Sequence, residues 1–451
     1  MTETEFRLEL AIWLYQQGRI TLALAIRWAG LTRPQFQREL NQRGIPIHYT
    51  PEDLCEELQK QRGLIEAVRP LMEQLPQKAG FCISEGLFHE LLLQMGELRK
   101  GILSFVQTGA WQFLPDGTLE WQTFELPDLA AGEVQVHLLA CGLCSGEVMD
   151  WYMRRKAPLV PGHELVGEIE AVGAKVEGFQ VGDRVVVHHH APCGKCPACQ
   201  RGAYVHCPTW RSTKLVPGGL SERFVVPAPI VQRDLLRLAA TLSDERAVFT
   251  EPLACVVKSL RRAGLRHGMS LAVIGLGVMG MLHILLAQAW GAKHILGLDR
   301  LPHRLEFART LGAVAVAANE PSEAVQQVRD LTGGDGAEIV VIGPGTTDAL
   351  ELGMQLVAPD GVVILFTPAP PEVRYPLDWH TLYFREVRLV PSYSAGPGEM
   401  RHALRLLEMG LPVEKLITHR LPLSRVPEGY ALLRRAEALK VILQPESSAA
   451  I

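Results

Sequence analysis

Charge imbalance, aromatic residues and long apolar runs are all scarce in this 451-residue chain. The 45 Lys+Arg nearly cancel the 49 Asp+Glu, leaving a formal net charge of −4. That excludes a chain that binds nucleic acid through bulk positive charge. The opening residues, MTETEFRLEL, show no basic stretch followed by an apolar core, so no secretory signal is expected and a cytoplasmic location is. The one uncharged run long enough to cross a bilayer is 270–292, SLAVIGLGVMGMLHILLAQAWGA. Glycines, a His and a Gln interrupt it, so it reads as a buried strand–turn–helix, and no membrane contact is expected. With 47% hydrophobic and 21% charged residues the chain is globular rather than disordered, and its length suits two or three domains.

What is present is concentrated. Of nine cysteines, four fall in one short stretch as Cys193-x2-Cys196-x2-Cys199-x7-Cys207. In a reducing compartment such clustering points to metal rather than disulfides. Four thiolates in a Gly-containing loop close a tetrahedron around zinc with no open position, which describes a structural site. An iron–sulfur cluster or four unrelated thiols are the competing readings.

A second signal is Gly275-Leu-Gly277-Val278-Met279-Gly280, directly after the strand-like LAVI and opening a helix. Asp299 closes the next strand 19 residues after Gly280. Glycines there let a pyrophosphate approach the helix N-terminus, and the carboxylate accepts from the adenosine-ribose hydroxyls. A carboxylate would repel a 2′-phosphate, so NAD(H) is favoured over NADP(H), with the adjoining Arg300 pulling the other way.

A third set is dispersed: Cys144, His163-Glu164 and Glu251-Pro252. A thiolate, an imidazole and a carboxylate suit a catalytic zinc with an open position. Taken alone, each is equally a packed core residue.

Pattern changes near residue 105. Upstream are short amphipathic helical segments; a helix ending at Gly30 and a second capped by Thr32 with Pro34 in its first turn form a helix-turn-helix pattern. Arginines 19, 27, 33, 38 and 43 against Glu39 give it a basic face, read either as a DNA contact or as an ordinary solvated surface. Downstream come strands at 134–140, 164–173 and 184–190, and from 270 a regular βα alternation that argues for a parallel doubly wound sheet.

Residues 106–451 resemble the zinc-containing medium-chain dehydrogenase/reductase family, through CGLCSGE, PLVPGHELVGEIEAVG, VGDRVVV, CGKCPACQRGAYVHC, EPLACVV, VIGLGVMG and LITHRLPLSRVPEGY. The resemblance implies an α/β fold. A GroES-like, β-rich catalytic domain is expected over 106–257 and 395–451, and a Rossmann NAD-binding domain over 258–394. It implies two zincs per chain: a catalytic one on Cys144, His163 and Glu251, with Glu164 as an exchangeable or water-linked ligand, and a structural one on Cys193, Cys196, Cys199 and Cys207. Gly275, Gly277, Val278, Met279, Gly280, Asp299 and Arg300 would hold the dinucleotide. Cys144, His163, Glu164 and His190 are the expected catalytic residues.

The implied reaction is reversible hydride transfer between a secondary alcohol (a polyol, sugar or related hydroxy metabolite) and NAD(H). The alternatives are a threonine-dehydrogenase-like activity on a hydroxy-amino acid, a catalytically degenerate NADH-sensing DNA-binding regulator, and a zinc-free reductase. The family's usual Ser/Thr and His relay positions hold Gly146 and Met149, flanked by Ser145 and Asp150. His190 or Glu164 is therefore expected to move the proton. Glu147 occupies an acidic position expected to orient the zinc-bound imidazole. A dimer or tetramer is implied.

Residues 5–60 resemble small prokaryotic antitoxin-like proteins, and 62–98 the C-terminal tail of their PIN-like toxin partners. That makes residues 1–105 an extra helical module. The tail carries none of the metal-binding acids of a PIN nuclease, so no nuclease activity is expected, and DNA binding through the module is the lesser expectation.

Overall fold

The structure is a computed structural model of the full chain, and it describes residues 3–16, 22–31, 33–43, 45 and 106–446. The chain divides into two compact units, residues 1–104 and 105–451. The expected PIN-tail segment, Thr32, and Cys55 and Cys82 lie outside the described residues.

In the first unit three helices are described: α1 (Glu3–Gln16), α2 (Leu22–Ala29) and α3 (Arg33–Gln42). Phe6, Leu10, Leu14, Ala25, Phe36 and Leu40 form their small core. The turn after α2 uses Gly30 at φ +65°, a left-handed conformation that an L side chain resists. Arg43 is committed to Glu9 (2.8 Å) and Glu39 (3.5 Å), so one of the five arginines is already neutralised within the unit.

The second unit holds two large sheets. Its strands in chain order are β1 (Gln107–Phe113), β2 (Leu119–Glu125), β3 (Val134–Gly142), β4 (Glu164–Val172), β5 (Arg184–Val187), β6 (Arg223–Val226), β7 (Leu235–Arg237), β8 (Ser270–Ile274), β9 (His294–Asp299), β10 (Val314–Ala317), β11 (Ala337–Ile342), β12 (Val357–Leu365), β13 (Arg388–Pro391), β14 (Ile417–Pro422) and β15 (Lys440–Gln444). One sheet has seven strands, in order β14-β15-β3-β4-β5-β7 with β6 also on β3. The other has six, in order β10-β9-β8-β11-β12-β13, all parallel.

Numbered from β8, the six-stranded sheet runs 3-2-1-4-5-6, the Rossmann order, with its topological switch between β8 and β11. Every residue of β8, SLAVI, is buried, as a strand covered on both faces requires. The uncharged 270–292 run is therefore β8, a glycine turn and the 12-residue helix Val278–Ala289. No helix among the described residues is long and apolar enough to cross a membrane.

The chain leaves the seven-stranded sheet after β7, builds the parallel sheet, and returns as β14 and β15. Antiparallel pairing of β15 with β3 (Ile442↔Gly142, Leu443↔Cys141) brings the C-terminal strand beside the β3 end. There β3 also meets the start of β4, Gly142↔Glu164. Strand β5 stops at Val187, its last position paired to both β4 and β7, so His188–His190 lie past the ladder rather than in it.

Candidate active site

Three segments converge at the β3–β4 end. The 3-10 turn Ser145–Val148 follows Cys144, whose sulfur accepts from the Gly146 amide at 3.4 Å. Gly162, at φ +95°, precedes His163; a Cβ there would lie 2.6 Å from the Leu220 amide nitrogen, so the tight approach demands glycine. Strand β4 opens with Glu164. Ligand atoms of Cys144, His163 and Glu164 all lie within 4.8 Å of one another.

His163 and Glu164 are each held from behind. The Glu147 carboxylate, 4% exposed, accepts from the Gly162 amide and from His163 Nδ1 through Oε1 (both 2.8 Å), and from the Tyr430 hydroxyl through Oε2 (3.0 Å). That fixes the imidazole so that Nε2 faces the cluster. Burial opposes charge on His163, but the Glu147 carboxylate and Cys144 outweigh it and hold the ring well above its ordinary value. Glu164 Oε2 sits 2.5 Å from Lys440 Nζ, which also donates to the Leu143 carbonyl at 3.2 Å. Its other oxygen, Oε1, is buried without a partner. An orphaned buried carboxylate oxygen beside a thiol and an oriented imidazole fits a divalent cation.

Glu251, on the helix Thr250–Ala263, brings a carboxylate oxygen within 4.8 Å of ligand atoms of His188 and His189, and its charge also acts on Glu164. Its Oε1 lies 3.5 Å from the Cys255 sulfur. His190 donates from Nδ1 to the Thr213 carbonyl (3.0 Å) and stacks on Trp210, with ring centroids 4.1 Å apart. Burial pushes its pKa down to about 3. Ser145 and Asp150 are exposed, and Asp150 faces Arg434 at 3.7 Å.

The four-cysteine loop brings its sulfurs together. Sulfur separations are 3.9 Å for Cys193–Cys199 and 3.5 Å for Cys196–Cys199, and all four lie within 4.8 Å of one another. Sulfurs bound about 2.3 Å from a tetrahedral ion stand about 3.8 Å apart. The Cys193 amide donates to Cys207 sulfur at 3.3 Å, a contact that favours thiolate. Burial pushes Cys199 up to about 12; at Cys207 burial is outweighed by the amides of Cys193 and Trp210, which bring it down to about 6. All seven described cysteines are free.

At the parallel sheet's switch point, Gly275 has φ +89° and its missing Cβ leaves room for Pro344 at 2.8 Å. A Cβ on Gly280 would strike the Gly275 carbonyl at 2.1 Å, while one on Gly277 would meet nothing within 4 Å. Gly277 thus faces open space at the N-terminus of the helix Val278–Ala289, which suits a pyrophosphate. Asp299 ties the loop in place: Oδ2 accepts from the Leu276 amide (2.7 Å), and Oδ1 from the amides of Arg300 (2.7 Å) and Leu301 (2.9 Å).

These two sites in one chain define a zinc- and dinucleotide-dependent oxidoreductase. The sequence matches the alcohol dehydrogenase GroES-like domain over residues 130–233 and the zinc-binding dehydrogenase domain over 278–409. Residues 2–63 match an uncharacterised protein family, UPF0175. L-threonine 3-dehydrogenase from Pyrococcus horikoshii is 32% identical over 332 residues, covering 70% of this chain and 92% of its own. Sorbitol dehydrogenase from Bacillus subtilis is 28% identical over 72% of this chain and 93% of its own. An alcohol dehydrogenase from Thermus sp. ATN1 superposes with a TM-score of 0.66 at 32% identity, covering 75% of this chain and all of that one. The chain belongs to the zinc-containing medium-chain dehydrogenase family, with zinc and NAD(P)(H) as its cofactors.

Proposed function

We propose that the protein is an NAD-dependent dehydrogenase of a secondary alcohol carrying a neighbouring polar group, a polyol in the first instance. The observation that carries this reading is the triad of Cys144, His163 and Glu164, with one ligand atom from each within 4.8 Å of the others, together with a Glu164 oxygen, Oε1, buried without a partner. Relatives named for erythritol/L-threitol, sorbitol and D-altritol support the polyol class.

Zinc on Cys144, His163 and Glu164 would supply a Lewis acid that makes a bound hydroxyl more acidic, and the dinucleotide would supply the hydride acceptor. Glu147 holds the His163 ring in one tautomer, and Lys440 anchors one Glu164 oxygen and leaves the other without a partner. His190 is assigned the hydroxyl proton. Its Nδ1–H is spent on Thr213, leaving the Nε2 lone pair as acceptor. Trp210 supplies an apolar wall behind that ring. Asp299 accepts the ribose hydroxyls of NAD, and the amides of Val278, Met279 and Gly280 open the helix that faces the pyrophosphate.

The L-threonine 3-dehydrogenase relative favours a second reading, a β-hydroxy-amino acid, which shares the secondary alcohol with a vicinal heteroatom. Initial rates of NADH formation across tetritols, hexitols and L-threonine decide between them. Activity confined to L-threonine overturns the polyol reading. Free thiols throughout the described residues support a cytoplasmic location. Exposed Trp379 (82%), Phe384 (71%) and Tyr383 (68%), on the helix preceding the edge strand β13, support a homo-oligomer.

A further inference from the structure

A wall of rings leads out of the Cys144–His163–Glu164 cluster. Centroids are 5.0 Å apart for His163 and His189, 4.0 Å for His189 and His190, 4.1 Å for His190 and Trp210, and 5.9 Å for Trp210 and Tyr393. The imidazole row is anchored from behind by His188, fully buried with Nδ1 2.6 Å from Oδ2 of the equally buried Asp234. Tyr393 then meets Tyr152: burial raises the pKa of both phenols, and each also acts on the other. A cation closes the wall. Lys156 Nζ lies over the Tyr152 ring, 3.7 Å from its centroid.

The backbone sets the place of Lys156. Both ends of the segment that carries it are fixed at the cluster, one at Cys144 and the other at His163. Between them the short helix Asp150–Arg154 ends, and the amides of Lys156 and Ala157 both donate to the Met153 carbonyl (2.9 and 3.1 Å). Met153 itself is buried, so the turn is pinned while the lysine side chain is exposed. Its ammonium rests on a ring face, where the aromatic quadrupole favours positive charge.

That charge bears on the cluster. Burial lowers the Lys156 pKa from the ordinary lysine value, and Tyr393, Glu147 and Cys144 pull it back up. Lys156 is also among the charges that press down the pKa values of His189 and His190, behind burial as the main cause. Both ends of the wall therefore share one electrostatic neighbourhood. The other lysines beside it are committed: Lys258 donates to the Tyr393 carbonyl at 2.7 Å, and Lys440 is paired with Glu164. Lys156 makes no ion pair among the described residues, and its ring contact leaves its N–H donors unspent.

We propose that Lys156 is a specificity-determining residue that takes an anionic group of the substrate, a carboxylate or a phosphate, while the carbinol lies at the Cys144–His163–Glu164 cluster. This rests on the dehydrogenase reading and narrows its polyol to one with an anionic end, such as an aldonate or a polyol phosphate. An ammonium is a compact charge with three donors, so it accepts either oxyanion. Being partly dehydrated and held on a ring before the substrate arrives, it gives up less water and less freedom when the pair forms.

The test uses the full zinc-loaded chain with D-sorbitol, D-gluconate and D-sorbitol 6-phosphate, which share a row of hydroxyls and differ in the end group. Two quantities are read: kcat/KM with NAD⁺, and calorimetric binding to the NADH-loaded protein. The wild type is expected to prefer an anionic probe over D-sorbitol by about 10–100-fold, the worth of a hydrogen bond to a charged group. Whether gluconate or the phosphate leads names the source of the anion. In Lys156→Met the anion-to-neutral ratio is expected to fall by the same factor, and Lys156→Arg is expected to keep most of it. A wild type that treats the three probes alike, or binds neither anion, overturns the proposal. So does a Lys156→Met protein with an unchanged ratio. Turnover of D-sorbitol without an anion preference sinks this claim and leaves the dehydrogenase reading standing. Lys156-dependent anion binding with no turnover of any probe does the reverse.

Discussion

Lys440 and Glu164, 276 residues apart in sequence, meet as a fully buried ion pair with Nζ 2.5 Å from Oε2. One oxygen of Glu164 is thereby fixed, and the other, Oε1, is buried without a partner. The pairing exists because β15 returns to lie against β3, so the last strand of the chain completes a site begun three hundred residues earlier. Lys440→Met leaves Glu164 buried without its counter-charge, at a cost of about 3–5 kcal/mol. Urea denaturation should show that loss. The double variant Lys440→Met/Glu164→Leu should recover much of the stability while remaining inactive.

Glu147 is the hub behind the imidazole, joined to Gly162, His163 and Tyr430. Glu147→Gln keeps the shape but removes the charge that favours the correct His163 tautomer. Zinc affinity or kcat/KM should fall about 10–100-fold. Tyr430→Phe removes one of three donors and should cost roughly tenfold or less. Metal retention during dialysis against a graded chelator series measures both.

Asp299 has two duties, as the loop's anchor and as the partner of the ribose. Asp299→Asn should lower kcat/KM for NAD⁺ about 10–100-fold, the worth of a hydrogen bond to a charged group. It should also raise the NADP⁺-to-NAD⁺ ratio, because the repulsion of a 2′-phosphate is gone. Unchanged preference would mean that the carboxylate serves the loop alone.

His283 supplies a pH dependence of stability away from the site. Its ring is fully buried, donates from Nδ1 to the Met279 carbonyl at 2.7 Å and accepts from Ser259 at 2.7 Å. Burial lowers its pKa from 6.5 to about 4. Between those values the unfolded chain takes up a proton that the folded one refuses, so stability falls as pH drops from 6.5 toward 4. The loss from this group reaches about 3 kcal/mol below that window and vanishes above it. Denaturation midpoints across pH 4–7 should show a shallower acid limb in His283→Gln than in the wild type.

Much of this was legible in the sequence because the informative residues are close together. Four cysteines within fifteen positions can meet only one another, and three glycines after an apolar strand, followed by Asp299, are a local pattern with a local cause. The partners from afar were not legible. Nothing near Glu164 announces Lys440, nothing near His188 announces Asp234, and nothing near Glu147 announces Tyr430; sheet pairing and helix placement join them. The same limit applies to Glu251, whose helix brings it near His188 and His189 and lets its charge act on Glu164 and Lys440. The apolar alternation before His188 likewise extended the expected strand to 190, where the ladder has already lost its partners.

The most direct test of the dehydrogenase reading pairs NADH formation with zinc content in wild-type protein and in Cys144→Ser, using polyols and L-threonine with NAD⁺. The expected result is turnover of a secondary alcohol by the wild type, with both turnover and one zinc lost on substitution. A wild-type protein that binds zinc through Cys144 yet reduces no NAD⁺ with any of these alcohols would contradict it.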